Sequence, residues 1–192
     1  MRENSRTATR DASAPFIDPA PPRDHAAKVD ALLAPFEKMM GRAPDALRLM
    51  SVSPPVLENY IRNIGHYMNH ASLSPVLTAM IHYLASASGG CSYCIDLNER
   101  MLLDAGCDLE AIRRTRDNPE DAPLESREVA LLRLVFAAVN RPHETQRSHF
   151  DEVRTAGVGD GGNFGALEHG PAARALGNLL DSLKLREEGV LG

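Results

Sequence analysis

Tryptophan is absent from the 192-residue chain, and aromatic residues make up only 5% of it. Any core must be filled mainly by Leu, Ala, Ile, Val and Met. Three cysteines are too few, and odd in number, for a disulfide-stapled scaffold. A basic excess is missing too: the formal net charge is −5. Short basic groups such as Arg113-Arg114 are flanked by acids, which reads as a solvated helix face and predicts no nucleic-acid partner. No run of about 18 apolar residues exists, so no membrane span is expected. The apolar stretch 131–139 is interrupted by Arg133. Residues 1–14 lack the apolar segment of a secretory signal. These gaps together predict a cytoplasmic protein with reduced thiols. Sustained period-two alternation is also missing, which argues against strands.

What is present is helical periodicity. Val29, Leu32, Leu33, Phe36, Met39 and Met40 recur at spacings of three and four, and Gly41 supplies a stop. Ser53 followed by Pro54-Pro55 reads as a capped helix start with an apolar stripe through Leu57, Tyr60, Ile61, Ile64 and Met68. Ser74-Pro75 opens another helix, with Leu77, Met80, Ile81 and Leu84 on its buried face and Gly89-Gly90 at its end. Further helices are expected from about Cys91 to Ala105, from Ser126 to Val139 and from Thr145 to Ala156. The stretch 113–122 reads as a charged linker and 157–162 as a loop. A last helical region is expected to break near Gly170-Pro171. The fold class is all-α, a helical bundle. Residues 1–23, rich in Pro, Ala, Arg and Asp, read as a flexible arm, and 24–192 as a single domain.

The segment with chemistry in it is Gly90-Cys91-Ser92-Tyr93-Cys94. A Cys-x-x-Cys pair at a helix start places both sulfurs on one face, close enough to bond. Unpaired backbone N–H groups and the helix dipole stabilise a thiolate there. A structural zinc site needs four ligands, and no second Cys or His pair follows at a suitable spacing, so no metal is expected. A thioredoxin domain needs a βαβ setting, and this one is helical. Two inert buried cysteines remain the competing reading. His66 and His70 stand at i and i+4 but read as a surface pair. Cys107 reads as a packing residue, and Tyr93 either shapes the pocket or belongs to the core.

This segment resembles the alkylhydroperoxidase D-like branch of the carboxymuconolactone decarboxylase superfamily. The resemblance is carried by Leu73-Ser74-Pro75, Ala85-Ser86-Ala87, the Gly-Cys-x-Tyr-Cys core and Asp104-Ala105-Gly106. It extends weakly over 29–186, with Pro44-Asp45-Ala46-Leu47 and Ser53-Pro54-Pro55-Val56-Leu57 similar to the family's lead-in helices. The resemblance implies an all-α homotrimer or homohexamer. It also implies a thiol-dependent peroxidase or disulfide oxidoreductase that needs no cofactor, with a peroxide substrate and an external dithiol reductant as partners. By the same resemblance Cys94 attacks the peroxide and Cys91 resolves the sulfenic acid. The family's glutamate, twelve residues before the first cysteine, is replaced here by Ala79. Its histidine, four residues after the second, is replaced by Asn98. His82, three residues after Ala79, is the candidate substitute base, with a hydrogen-bonded interior histidine as the competing reading. The loss of both relay residues also fits an alternative: a non-catalytic family member that serves as an oligomeric binding or scaffold protein.

Overall fold

The computed structural model describes residues 15–189. Among them run nine α-helices and no strand: α1 (Ala26–Met40), α2 (Asp45–Met50), α3 (Pro54–Met68), α4 (Pro75–Gly89), α5 (Ser92–Asp104), α6 (Leu109–Arg114), α7 (Ser126–Asn140), α8 (Arg147–Thr155) and α9 (Asp160–Ser182). The fold class is the one the periodicity predicts. No helix among the described residues is long and apolar enough to cross a membrane.

Helix α4 lies at the centre and packs against α5, α7 and α9. Its Leu77, Met80, Ile81, Tyr83 and Leu84 meet Leu131, Leu132, Leu134 and Val135 of α7, Ala166 of α9 and Leu102 of α5 in one core cluster. Full burial of each such aliphatic side chain contributes roughly 1.5–3 kcal/mol. A second cluster joins α1, α2 and α3 through Val29, Leu33, Leu47, Met50 and Leu57. A third holds the cysteine pair.

Local signals set most helix ends. The Ser74 hydroxyl accepts from the Leu77 N–H at 3.1 Å, with Pro75 in the first turn where its missing N–H costs nothing. Gly41 and Gly90 close α1 and α4 in the left-handed conformation, at φ 79° and 77°. Ser53 departs from its expected role: its side chain makes no cap bond. Pro54 and Pro55 remove the first two donors, and Val56 N–H goes to the Ser53 carbonyl instead.

Three other expectations are corrected. Helix α9 runs unbroken through Gly170-Pro171 and begins inside the segment read as a loop. Gly170 has no Cβ to clash with the following proline ring, and its bare backbone presses onto Val135 and Val139 of α7. The linker reading of 113–122 missed the end of α6, whose N-cap Asp108 accepts from Ala111 N–H at 3.0 Å. Met39, Met40 and Met68, placed on apolar stripes, are exposed. All three sit in the last turn of their helices, beyond the packed surface. Of the arm expected over 1–23, residues 1–14 lie outside the described residues. In the remainder, Phe16 N–H donates to the Leu183 carbonyl at 3.0 Å, and a 3-10 turn covers Arg23–His25.

Candidate functional site

The cysteine pair sits where α4 turns into α5. After the left-handed Gly90, Cys91 N–H donates to the Ser86 carbonyl at 3.2 Å. That bond fixes Cys91 as the N-cap of α5, in an extended conformation. Cys94 follows at the third helical position. The two Cα atoms are 5.4 Å apart and the sulfurs lie within bonding distance of one another, paired as a disulfide. The Cys91 sulfur also accepts from the Cys94 N–H at 3.3 Å. Cys107 stands apart as a free thiol beyond α5, with its N–H on the Leu102 carbonyl.

The surroundings of the pair are apolar and closed. Cys91 and Cys94 are 1% and 5% exposed. Ala46 and Leu49 of α2, Leu97 of α5, Leu176 and Leu180 of α9, and Leu183 and Leu185 beyond α9 pack around them. At Gly177 the backbone of α9 comes so close that an added Cβ would stand 3.1 Å from the Cys91 Cβ. The same atom would lie 3.8 and 3.9 Å from the two sulfurs. A short strap, 183–189, follows α9 and lies across this site. The Ser92 hydroxyl donates to the Arg186 carbonyl at 3.1 Å. Asp45 N–H donates to Glu188 Oε1 at 2.9 Å, and Gly189 N–H donates to Asp45 Oδ2 at 2.6 Å. The Tyr93 hydroxyl accepts from Ala46 N–H at 3.1 Å and hydrogen-bonds Glu188. Burial raises the Tyr93 phenol above its ordinary range, so it stays neutral at pH 7.

Ala79 and Asn98 are both buried. The Asn98 amide nitrogen donates to the Cys94 carbonyl at 2.7 Å, one turn back along α5. It binds the backbone of Cys94 and not its sulfur.

His82, expected to serve the cysteines as a base, belongs to a different cluster. Its ring stacks on His169 of α9 with centroids 4.4 Å apart. His169 and Gly177 are eight residues apart on α9, about 12 Å at 1.5 Å per residue. Burial also pushes His82 down to about 4, too weak a base to hold a thiol proton at neutral pH. His82 therefore serves a ring stack and not the sulfurs.

Sequence reasoning missed that stack. Tyr67 lies 3.8 Å from His169, and His70 packs beside Tyr67 and edge-on to His66. The Tyr67 hydroxyl bonds the Gly165 carbonyl and the Glu168 carboxylate. Of the expected surface pair, His66 is exposed while His70 is half-buried against Gly165. His169 is 5% exposed, and its ring meets the backbone of Thr78 in a hydrogen bond. Desolvation, reinforced by the neighbouring imidazoles, holds it down at about 3. The glycines of α9 were the available signal, since Gly162, Gly165, Gly170 and Gly177 all mark close approaches. No three His, Cys, Asp or Glu side chains among the described residues are arranged to hold a metal ion.

Residues 54–134 match the carboxymuconolactone decarboxylase family. No curated protein matches the chain. Solved structures share the fold. An uncharacterized peroxidase-related protein from Silicibacter sp. TM1040 superposes with a TM-score of 0.81 at 14% identity, over 94% of this chain and 95% of that one. The alkylhydroperoxidase AhpD core of an uncharacterized peroxidase-related protein from Ralstonia eutropha JMP134 gives 0.74 at 17% identity, over 86% and 87%. The debrominase Bmp8, in complex with 2,3,4-tribromopyrrole, gives 0.71 at 14% identity, over 95% of each chain.

Proposed function

We propose that this chain, whose residues 54–134 match the carboxymuconolactone decarboxylase family, is a thiol-dependent oxidoreductase that reduces peroxides. Cys91 and Cys94 alternate between dithiol and disulfide. One sulfur takes an oxygen from the peroxide and becomes a sulfenic acid. The other displaces water from it and closes the disulfide, and an external dithiol reopens the bond. The observation that carries the reading is the pair itself. Two sulfurs stand within bonding distance at the N-terminus of α5, while the third cysteine is elsewhere. His82 has no part in the scheme, and the site uses no cofactor.

The scheme is tested by counting thiols. Fully reduced protein treated with one equivalent of peroxide should lose two thiols and keep Cys107. Dithiothreitol should restore both.

A second reading has its own support. Nearly complete burial of both sulfurs, together with Ala79 and Asn98 in place of the family's relay, favours a scaffold member whose disulfide only braces the α4–α5 turn. A thiol count that peroxide leaves unchanged would establish that reading. The fold also carries other chemistry, as the debrominase at 14% identity shows for itself. Halogenated aromatics are therefore the second substrate class to assay.

A further inference from the structure

Resting on the redox reading, we propose that Cys91, and not Cys94, carries the reactive thiolate of this chain. The family resemblance gives the attack to Cys94 because a glutamate and a histidine activate it. Here that pair is Ala79 and Asn98, and the Asn98 amide is committed to the Cys94 carbonyl. No side chain hydrogen-bonds the Cys94 sulfur among the described residues. What remains is the helix, and its geometry is not symmetrical between the two cysteines.

Cys91 occupies the N-cap, the position whose side chain accepts the unpaired N–H groups of the first turn. Its sulfur takes the Cys94 N–H at 3.3 Å. A negative charge on that atom faces the positive end of a 13-residue helix. Cys94 is one turn inside, where its own N–H points at the other sulfur. The walls that touch the pair, from α2, α5, α9 and the strap, are apolar and favour neither cysteine. Those elements also carry titratable and charged side chains. Among them are Asp45 and Arg48 on α2, Tyr93, Asp96, Glu99, Arg100 and Asp104 on α5, Asp160, Glu168, His169, Arg174 and Asp181 on α9, and Lys184, Arg186, Glu187 and Glu188 in the strap. None of these hydrogen-bonds a sulfur among the described residues.

The steps balance with the roles exchanged. The Cys91 thiolate attacks the distal peroxide oxygen, the O–O bond breaks, and the alkoxide leaves and takes a proton from water. The Cys94 thiol then attacks the Cys91 sulfenic acid. An S–S bond forms as the S–O bond breaks, and water departs with the Cys94 proton. An external dithiol attacks the disulfide and leaves oxidised.

The test compares Cys94→Ser with Cys91→Ser, each holding one thiol of the pair. Maleimide labelling of the remaining thiol is followed by peptide mass spectrometry from pH 5 to 10. The readout is the midpoint of the rate profile, because rate alone also reflects access. Cys91 should ionise at least about one pH unit below Cys94. An equal midpoint, or a lower one for Cys94, overturns the proposal. Dimedone trapping after peroxide gives the second readout. A sulfenic acid on Cys91 in Cys94→Ser, with little on Cys94 in Cys91→Ser, supports the assignment, and the reverse overturns it. If neither variant forms a sulfenic acid, the peroxidase reading fails while the midpoints still decide which sulfur holds the charge. Should either serine variant unfold, reduced wild-type protein labelled with substoichiometric maleimide across the same pH range supplies both midpoints.

Discussion

Replacing His169 with phenylalanine should change how stability depends on pH, by an amount the structure fixes. His82 and His169 are partly and almost wholly buried, and their charged forms are disfavoured, with folded values of about 4 and about 3. In the unfolded chain each titrates near ~6.5. A base whose folded value is depressed leaves the unfolded state binding more protons. Its stabilising contribution is therefore complete above ~6.5 and is lost as pH falls toward the folded value. From pH 7 to pH 5 that loss is about 2 kcal/mol for each ring. His169→Phe keeps a flat ring between Tyr67 and His82, where the centroid distances are 3.8 and 4.4 Å, and removes one titrating group. Urea unfolding of the variant and of wild type at pH 7 and at pH 5 reads the effect. The loss between pH 7 and pH 5 should be smaller by about 2 kcal/mol. An unchanged difference between those two pH values would refute the account of a buried, neutral imidazole stack.

Other outcomes follow from the packing. Gly170→Ala should destabilise the fold by about 1–3 kcal/mol or more, since the new Cβ would stand 2.5 Å from Val135 Cγ1 and 2.9 Å from Val139 Cγ2. Chemical denaturation checks this, and a neutral result would mean α7 and α9 are not in firm contact. Ending the chain after Lys184 removes Leu185 and the Glu188–Asp45 contacts. Maleimide labelling of reduced Cys91 and Cys94 should then rise at least about tenfold, while Cys107 keeps its rate. Equal acceleration at all three would show general loosening and not an uncovered site. Phe164 is 74% exposed, and Met39, Met68 and Val56 are at least half exposed, surface that a homotrimer or homohexamer would cover. Light scattering should give a mass of at least three chains, and a mass near 21 kDa at all concentrations would reject this.

The cysteine motif and most helix limits were legible without coordinates because they depend on short stretches of chain. Ser74 caps through a bond to a residue three away, and Gly90 ends α4 through its own φ. Cys91 and Cys94 share a helix turn, so their proximity follows from helical geometry once α5 forms. Ser53 shows where such reading stops. Its type and its neighbours suited a cap, but the two prolines that marked the helix start also removed donors.

The sequence by itself determined the fold class, the helix-forming segments and the place of the sulfurs at a helix start, since apolar period and capping chemistry act over a few residues. Tertiary structure decided the rest. Pro171 stays inside α9 because Gly170 packs against α7. His82 is drawn to His169, 87 positions further along the chain (169 − 82), instead of to the cysteines. The sulfurs are closed off by a strap whose Glu188 accepts a hydrogen bond from Asp45, 143 positions earlier in the chain. Contacts of that range leave no periodicity in the chain. They form only when whole helices dock and the apolar area they bury outweighs the entropy of closing the loops between them.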